Sequence, residues 1–440
     1  MNKARVDLAI SARWIIPVVP AERIFKDCSI VIHDGRITAI VPESELLNSY
    51  TPDVHHQLDE HVLIPGLINC HGHAAMSLLR GKADDKPLMD WLENDIWPCE
   101  SQWVCEEFVR DGTSLAVAEM LLSGTTCFSD MYFFPESAAE VARESGIRAQ
   151  IAFPVLDFPT AWGQGPDDYL KKGLALHDNY RSHDRIHIAF GPHAPYTVGD
   201  DALVRISTYA EEMQMPIQIH LHETAIEVEN SLEKTGERPI ARLERLGLLS
   251  PLTQCVHMTQ VDDSDIDLLV HSGASVIHCP ASNMKLASGA SPVTRMLDSD
   301  INVAIGTDGA ASNNKLNMLQ EMQLTALLAK LSSNDAASVS AHTALKMATL
   351  NGAKALGLDA VTGSLEPGKC ADICAIDLGD LRHQPVYNPV SQVVYTDTGP
   401  SVNHVWVNGR HLVDSRQLKT MSTHTIVKQA RNWRDKISHD

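Results

Sequence analysis

Much of what this chain could be is removed by what it lacks. No stretch approaches 18 uninterrupted apolar residues, so no segment is long enough for a membrane helix. Basic residues are scarce: 36 Lys and Arg stand against 56 Asp and Glu, a formal charge of −20. A surface that negative repels phosphate backbones and anionic lipid headgroups, which argues against nucleic acid and membrane as partners. The nine cysteines form no Cys-x-x-Cys pair; odd in number and scattered, they read as reduced thiols of a cytoplasmic protein, with Cys370 and Cys374 as packing residues. Asp7 and Arg13 break the apolar run that a signal peptide would need in residues 1–20, so that stretch reads as a strand. Internal repeats and low-complexity tracts are absent too.

What is present is an ordinary globular composition, 44% hydrophobic and 21% charged over 440 residues, enough for one large barrel and an accessory unit. Residues 4–64 alternate short β-rich runs with turns, and Asp34-Gly35 between SIVIH and RITAIV predicts a tight hairpin in an antiparallel sheet. Residues 364–378 and 402–414 return to short strands, with a second hairpin at Asn408-Gly409, so both ends of the chain are expected to pack together. Between them apolar strands alternate with helical segments, the pattern of a parallel sheet with crossover helices. Eight strands are predicted: 66–73, 125–131, 148–157, 186–194, 216–223, 254–259, 275–281 and 302–309. Helices are expected over 113–124 and 340–357, where apolar residues recur at helical spacing. Eight such units close an α/β barrel.

In such a barrel reactive groups collect at the carboxyl ends of the strands. Those ends carry His71, His73, Asp130, His193, His220 with Glu223, His257, His278 and Asp308. His71 and His73, two apart on an extended strand, point to one side, and Gly72 between them leaves room for close approach. Alone, the pair could be polar rim residues. In IQIHLHE the alternation turns His220 inward as well, and three imidazoles with the Asp308 carboxylate make an N3O set suited to zinc or another first-row divalent ion, with a water position open. His222 and His278 are expected to pack or to support neighbours, and Asn283, Lys285, Asn313 and Asn314 to order the loops around Asp308.

The segments LIPGLINCHGH, IHLHE, HCPASNMKLASG and GTDGAASNN together resemble the amidohydrolase superfamily, and within it the methylthioadenosine/S-adenosylhomocysteine deaminase group of the triazine-hydrolase-related branch. The resemblance runs from about Asp7 to Val413. It implies a (β/α)8 barrel over 65–363 flanked by a small β-sandwich from residues 1–64 and 364–440, the last with a terminal helix. It further implies one divalent metal, usually zinc and sometimes iron, on His71, His73, His220 and Asp308, with a metal-generated hydroxide attacking the purine carbon that bears the amine. Glu223 resembles the proton shuttle, His257 with Asp308 the residues that steer the water, His193 a substrate contact, and Glu100 the anchor of the ribose hydroxyls. Taken singly, Glu223 could start a helix, His257 could equally sit hydrogen-bonded in the core, and a glutamate such as Glu100 is more often found on the surface.

The family arginine on the substrate side after the third strand has no counterpart in IAFPVLDFPTAWG, and the fourth strand lacks the lysine of two-metal cyclic-amide hydrolases. The expected activity is hydrolytic deamination of S-adenosylhomocysteine, 5′-methylthioadenosine or adenosine; triazines, guanine and cytosine remain alternatives on the same ligand set. A non-catalytic scaffold would be expected to have lost ligands, and all are present. The resemblance implies a dimer.

Overall fold

The computed structural model describes residues 3–438. Eight parallel strands, Leu67–Asn69, Thr125–Met131, Arg148–Val155, Ile186–Pro192, Ile217–Leu221, Thr253–His257, Ser275–His278 and Val303–Ile305, lie side by side in chain order. Nearly every strand residue is buried, as expected where helices cover one face and a closed interior the other. No ladder joins the first and last strands to each other. Single bonds join them instead, Cys70 N–H to Ile305 O at 3.0 Å and Asp308 N–H to His71 O at 3.0 Å, and these complete the barrel.

Each predicted strand has its counterpart, but several stop short at the carboxyl end: 66–73 becomes Leu67–Asn69 and 302–309 becomes Val303–Ile305. The helix expected over 113–124 belongs to a longer one, Glu106–Leu122. The segment 340–357 divides into Ala341–Met347 and Leu350–Ala355, because Thr349 leaves helical geometry (φ −131, ψ −90) and turns its hydroxyl back onto Leu345 O.

The terminal segments share a second eight-stranded sheet, ordered Gln417–Leu418, Arg410–Asp414, Val402–Val407, Ile373–Asp377, Tyr50–Pro65, Ala4–Ile15, Phe25–His33, Arg36–Pro42. The sheet is mixed. Ala4–Ile15 runs antiparallel to Phe25–His33, as expected, but parallel to Tyr50–Pro65. Folded over a core that includes Ile10, Ile30, Leu63, Ile373 and Trp406, it brings its two hairpin tips together. Asp34-Gly35 and Asn408-Gly409 all have positive φ (50°, 71°, 50°, 73°), the turn that suits strand twist. A Cβ on Gly35 would stand 2.6 Å from Asn408 O, so neither tip admits a larger residue without shifting.

Two contacts tie this sheet and the C-terminal helix to the barrel. The Arg148 guanidinium grips Asp372 at 3.0 Å with both side chains at most 1% exposed, and Asp372 also accepts from Asn408 N–H at 2.7 Å. Helix Thr423–Ser438 packs on Glu106–Leu122, its Trp433 indole donating to Asp111 at 2.8 Å.

Candidate metal centre

The shortened strands are the local cause of the site. His71 and His73 lie just past the last ladder residue, where the backbone is free to turn both rings toward the barrel axis. Room for this comes from Gly306: a Cβ there would stand 2.9 Å from His71 N. Gly72, expected to provide it, does not. Its added Cβ would meet only ordinary contacts, the nearest Asp308 O at 3.5 Å.

Side chains from three stretches distant in sequence converge here. His220 Nε2 lies 3.2 Å from His71 Nε2, and Asp308 Oδ1 lies 3.5 Å from His71 Nε2 and 3.3 Å from His73 Nε2. Ligands about 2.0–2.1 Å from a tetrahedral ion are separated by about 3.3–3.5 Å, so these atoms outline such a shell.

The proton on each imidazole is held on the far side. His71 Nδ1 donates to Gln218 Oε1 at 2.8 Å, His73 Nδ1 to Met131 O at 2.6 Å and His220 Nδ1 to His193 O at 2.7 Å. The Gln218 amide cannot flip without loss, because its Nε2 donates to Cys70 O, Ser129 Oγ and Gln254 Oε1. All three Nε2 atoms therefore carry lone pairs facing one point, a repulsive arrangement that a cation relieves. Burial, together with the neighbouring imidazoles, lowers His220 well below the usual range, which keeps it neutral and fit for coordination.

Asp308 is held as firmly. Gly309 N–H donates to Oδ1 at 2.7 Å, and the hydroxyls of Ser282 and Ser312 donate to Oδ2 at 2.6 and 2.9 Å.

Glu223 and His257 face the same space. His257 Nδ1 donates to Asn283 Oδ1 at 2.9 Å, turning Nε2 toward Glu223 Oε2, 3.8 Å away. Burial, and then the Asp308 carboxylate, push the Glu223 carboxyl up to about 8, so at neutral pH it can carry a proton. Its backbone is fixed by a neighbour the sequence analysis missed. Glu227 accepts from Glu223 N–H at 2.8 Å and from His222 N–H at 3.0 Å, while Thr224 caps helix Ala225–Thr235. The signal was available: Thr224-x-x-Glu227 is a capping-box spacing.

A cavity of about 730 Å³ opens above these groups, with His73, His193, His220, Glu223, His257 and Asp308 at its floor. Glu100 stands in its wall on helix Trp97–Trp103, just after a π-turn at Leu92–Ile96. The Tyr132 hydroxyl donates to Glu100 Oε1 at 2.6 Å, a partner no sequence pattern pointed to, while burial pushes the carboxyl up to about 7. Much of the rest of the wall is apolar, with Trp91, Trp97, Phe133, Phe158 and Leu286, interspersed with the hydroxyls of Ser101, Thr160, Tyr196 and Thr197. Among the described residues no Arg or Lys lines it, in keeping with the arginine missing from the third strand's loop.

The other rim residues support the backbone. His222 is buried, accepting from Ile240 N–H at 3.1 Å and bonded through Nδ1 to Gln260 O at 3.0 Å. Asp130 accepts from Ala74 N–H at 2.6 Å, and His278 is buried with its backbone oxygen accepting from Gly306 N–H. Asn313 donates to Thr307 O at 2.8 Å, and Lys285 bridges Asp84, Ala311 O and Asn314. Asn283 braces His257 rather than the Asp308 loop.

The profile of the amidohydrolase family matches residues 62–412. The chain is 57% identical over 436 residues, 99% of each sequence, to the 5-methylthioadenosine/S-adenosylhomocysteine deaminase of Teredinibacter turnerae. It is 40% identical over 431 residues, 98% of each, to the protein of that name from Syntrophobacter fumaroxidans. Among solved structures, an adenosine deaminase from Xanthomonas campestris with bound zinc superposes with a TM-score of 0.99 at 43% identity, covering 100% of both chains. A zinc-complexed atrazine chlorohydrolase from Arthrobacter aurescens superposes with a TM-score of 0.90 at 23% identity, covering 97% of this chain and 99% of that one; this is a likeness of fold.

Proposed function

The chain belongs to the amidohydrolase family, and from that premise we infer that it is a metal-dependent hydrolase that deaminates adenine nucleosides, releasing ammonia and the inosine analogue. The observation that carries this is the convergence of four ligand atoms, linked by separations of 3.2, 3.3 and 3.5 Å, with Glu223 and His257 facing them on the floor of one cavity. Relatives 40–57% identical over nearly the whole chain bear the deaminase name, which supports the nucleoside as substrate class.

His71, His73, His220 and Asp308 would hold the ion, and zinc suits three imidazoles and one carboxylate. A divalent ion there supplies Lewis acidity that makes water a nucleophile near neutral pH.

The remaining steps fall to the chain's own groups. Asp308 and His257 orient the attacking water and take up its proton. Glu223, protonated at rest, donates to the ring nitrogen beside the carbon that becomes tetrahedral. It then takes the proton of the hydroxyl on that tetrahedral carbon and passes it to the departing amine, and the proton held by Asp308 and His257 returns to it. His193 borders the purine, and Glu100, held by Tyr132, accepts from the ribose hydroxyls.

The test is a substrate panel of adenosine, 5′-methylthioadenosine and S-adenosylhomocysteine, following adenine absorbance and released ammonia. At least one should be turned over, with activity lost to a chelator and restored by zinc. Failure of all three to release ammonia from zinc-loaded protein would end this assignment.

A further inference from the structure

The small sheet carries imidazoles that the barrel does not use. His404 lies on strand Val402–Val407, while His411 and Asp414 lie on its antiparallel neighbour Arg410–Asp414. Residues three apart on a regular strand point to opposite faces, so His411 and Asp414 should not meet. The register explains why they do. Val405 stands opposite Val413 and Trp406 opposite His411, so Leu412 is an extra residue, and this β-bulge turns His411 and Asp414 to one side.

His404 Nδ1 then lies 3.2 Å from His411 Nε2 and 3.5 Å from Asp414 Oδ1, and the three donor atoms all fall within 4.8 Å of one another. Ser415 N–H is aimed at His404 Nδ1 from 3.4 Å, so that nitrogen is the unprotonated one, and this long contact is the one an ion would displace. The Trp406 ring stacks on His411 at 4.5 Å and steadies it, and His56 flanks the group with its ring 5.1 Å from that of His411. Lys419 reaches only the other carboxylate oxygen of Asp414, Oδ2, at 3.5 Å. The spacings repeat those of the barrel cluster, and Asp414 is open enough to solvent for an ion to enter.

We propose that His404, His411 and Asp414 form a second divalent-metal site, outside the barrel and independent of its chemistry. Two imidazoles and a carboxylate suit a borderline first-row ion such as zinc. A bound ion would clamp the C-terminal hairpin and so stabilise the small sheet.

Chelator-stripped full-length protein, dialysed against micromolar zinc chloride and desalted, should retain one more zinc per chain than His404→Gln/His411→Gln handled identically. The doubly substituted protein should still turn over substrate. Zinc should also raise the melting temperature of His71→Ala/His73→Ala, a rise lost when His404→Gln/His411→Gln is added. Equal zinc in wild type and His404→Gln/His411→Gln overturns the proposal. Should that variant not fold by circular dichroism, Asp414→Asn replaces it, at a partly exposed position where the isostere preserves packing, and zinc retention equal to wild type would again refute the site.

Discussion

The two ends of the barrel are built on opposite terms. At the carboxyl end His222, His257, Met258 and Asp308 all adopt positive φ (52°, 76°, 46°, 61°), a conformation that costs non-glycine residues on the order of 1 kcal/mol or more each. Like-sided lone pairs and carboxyls pushed out of their ordinary range are gathered there as well. At the amino end Arg148 and Asp372 neutralise each other out of water, and the backbone of Asn408 completes the pair. One end stores unfavourable geometry that a substrate or ion can use; the other pairs its buried charges and anchors the second sheet. Substitutions should therefore separate, rim changes costing rate and base changes costing stability.

The sharpest separation is expected from Glu223→Gln, which should lower kcat by about 10²–10⁴-fold while metal content and melting temperature stay near wild type. Wild-type turnover in this variant would remove Glu223 from the chemistry. Asp372→Ala should do the reverse: stranding the Arg148 charge costs about 3–5 kcal/mol in denaturant unfolding, with kcat of the folded fraction unchanged. If kcat fell as well, the two ends would be coupled.

Gln218→Leu tests the boundary between them. Zinc affinity measured against a competing chelator should drop about 10–100-fold, because His71 loses the partner that holds its proton on Nδ1. The smallest effect is expected from Tyr132→Phe, a loss of about 1 kcal/mol read as a higher KM with kcat preserved. The Tyr132 hydroxyl pulls the Glu100 carboxyl down from where burial would leave it, so its removal raises that pKa beyond about 7. Less of the carboxyl is then ionised at neutral pH, and the KM defect should fade as the pH is raised.

The rim was legible in the sequence largely because the barrel's periodicity is strong. Apolar runs at regular intervals identified all eight strands, and reading off their carboxyl ends located the residues that meet around Asp308. The resemblance added roles to positions that spacing alone left open, Glu223 and His257 above all. What escaped depends on contacts between distant loops. Tyr132 on Glu100 and Gln218 beneath His71 leave no periodic trace, and the room credited to Gly72 belongs to Gly306, since close approach is a property of three-dimensional paths. In the small sheet the hairpins were legible from Asp34-Gly35 and Asn408-Gly409. The parallel pairing of Ala4–Ile15 with Tyr50–Pro65 was not, because local turn chemistry specifies only the neighbour across the turn.

A ribosome delivers Tyr50–Pro65 about 300 residues before Ile373–Asp377, the strand that pairs with its His61–Pro65 end on the remaining edge. During that interval the nascent amino-terminal strands carry an open row of amide and carbonyl groups, an invitation to adhere to other nascent chains. The small sheet is thus a clasp that shuts last, and a message cut short anywhere within the barrel yields a product whose exposed β-edge marks it as unfinished.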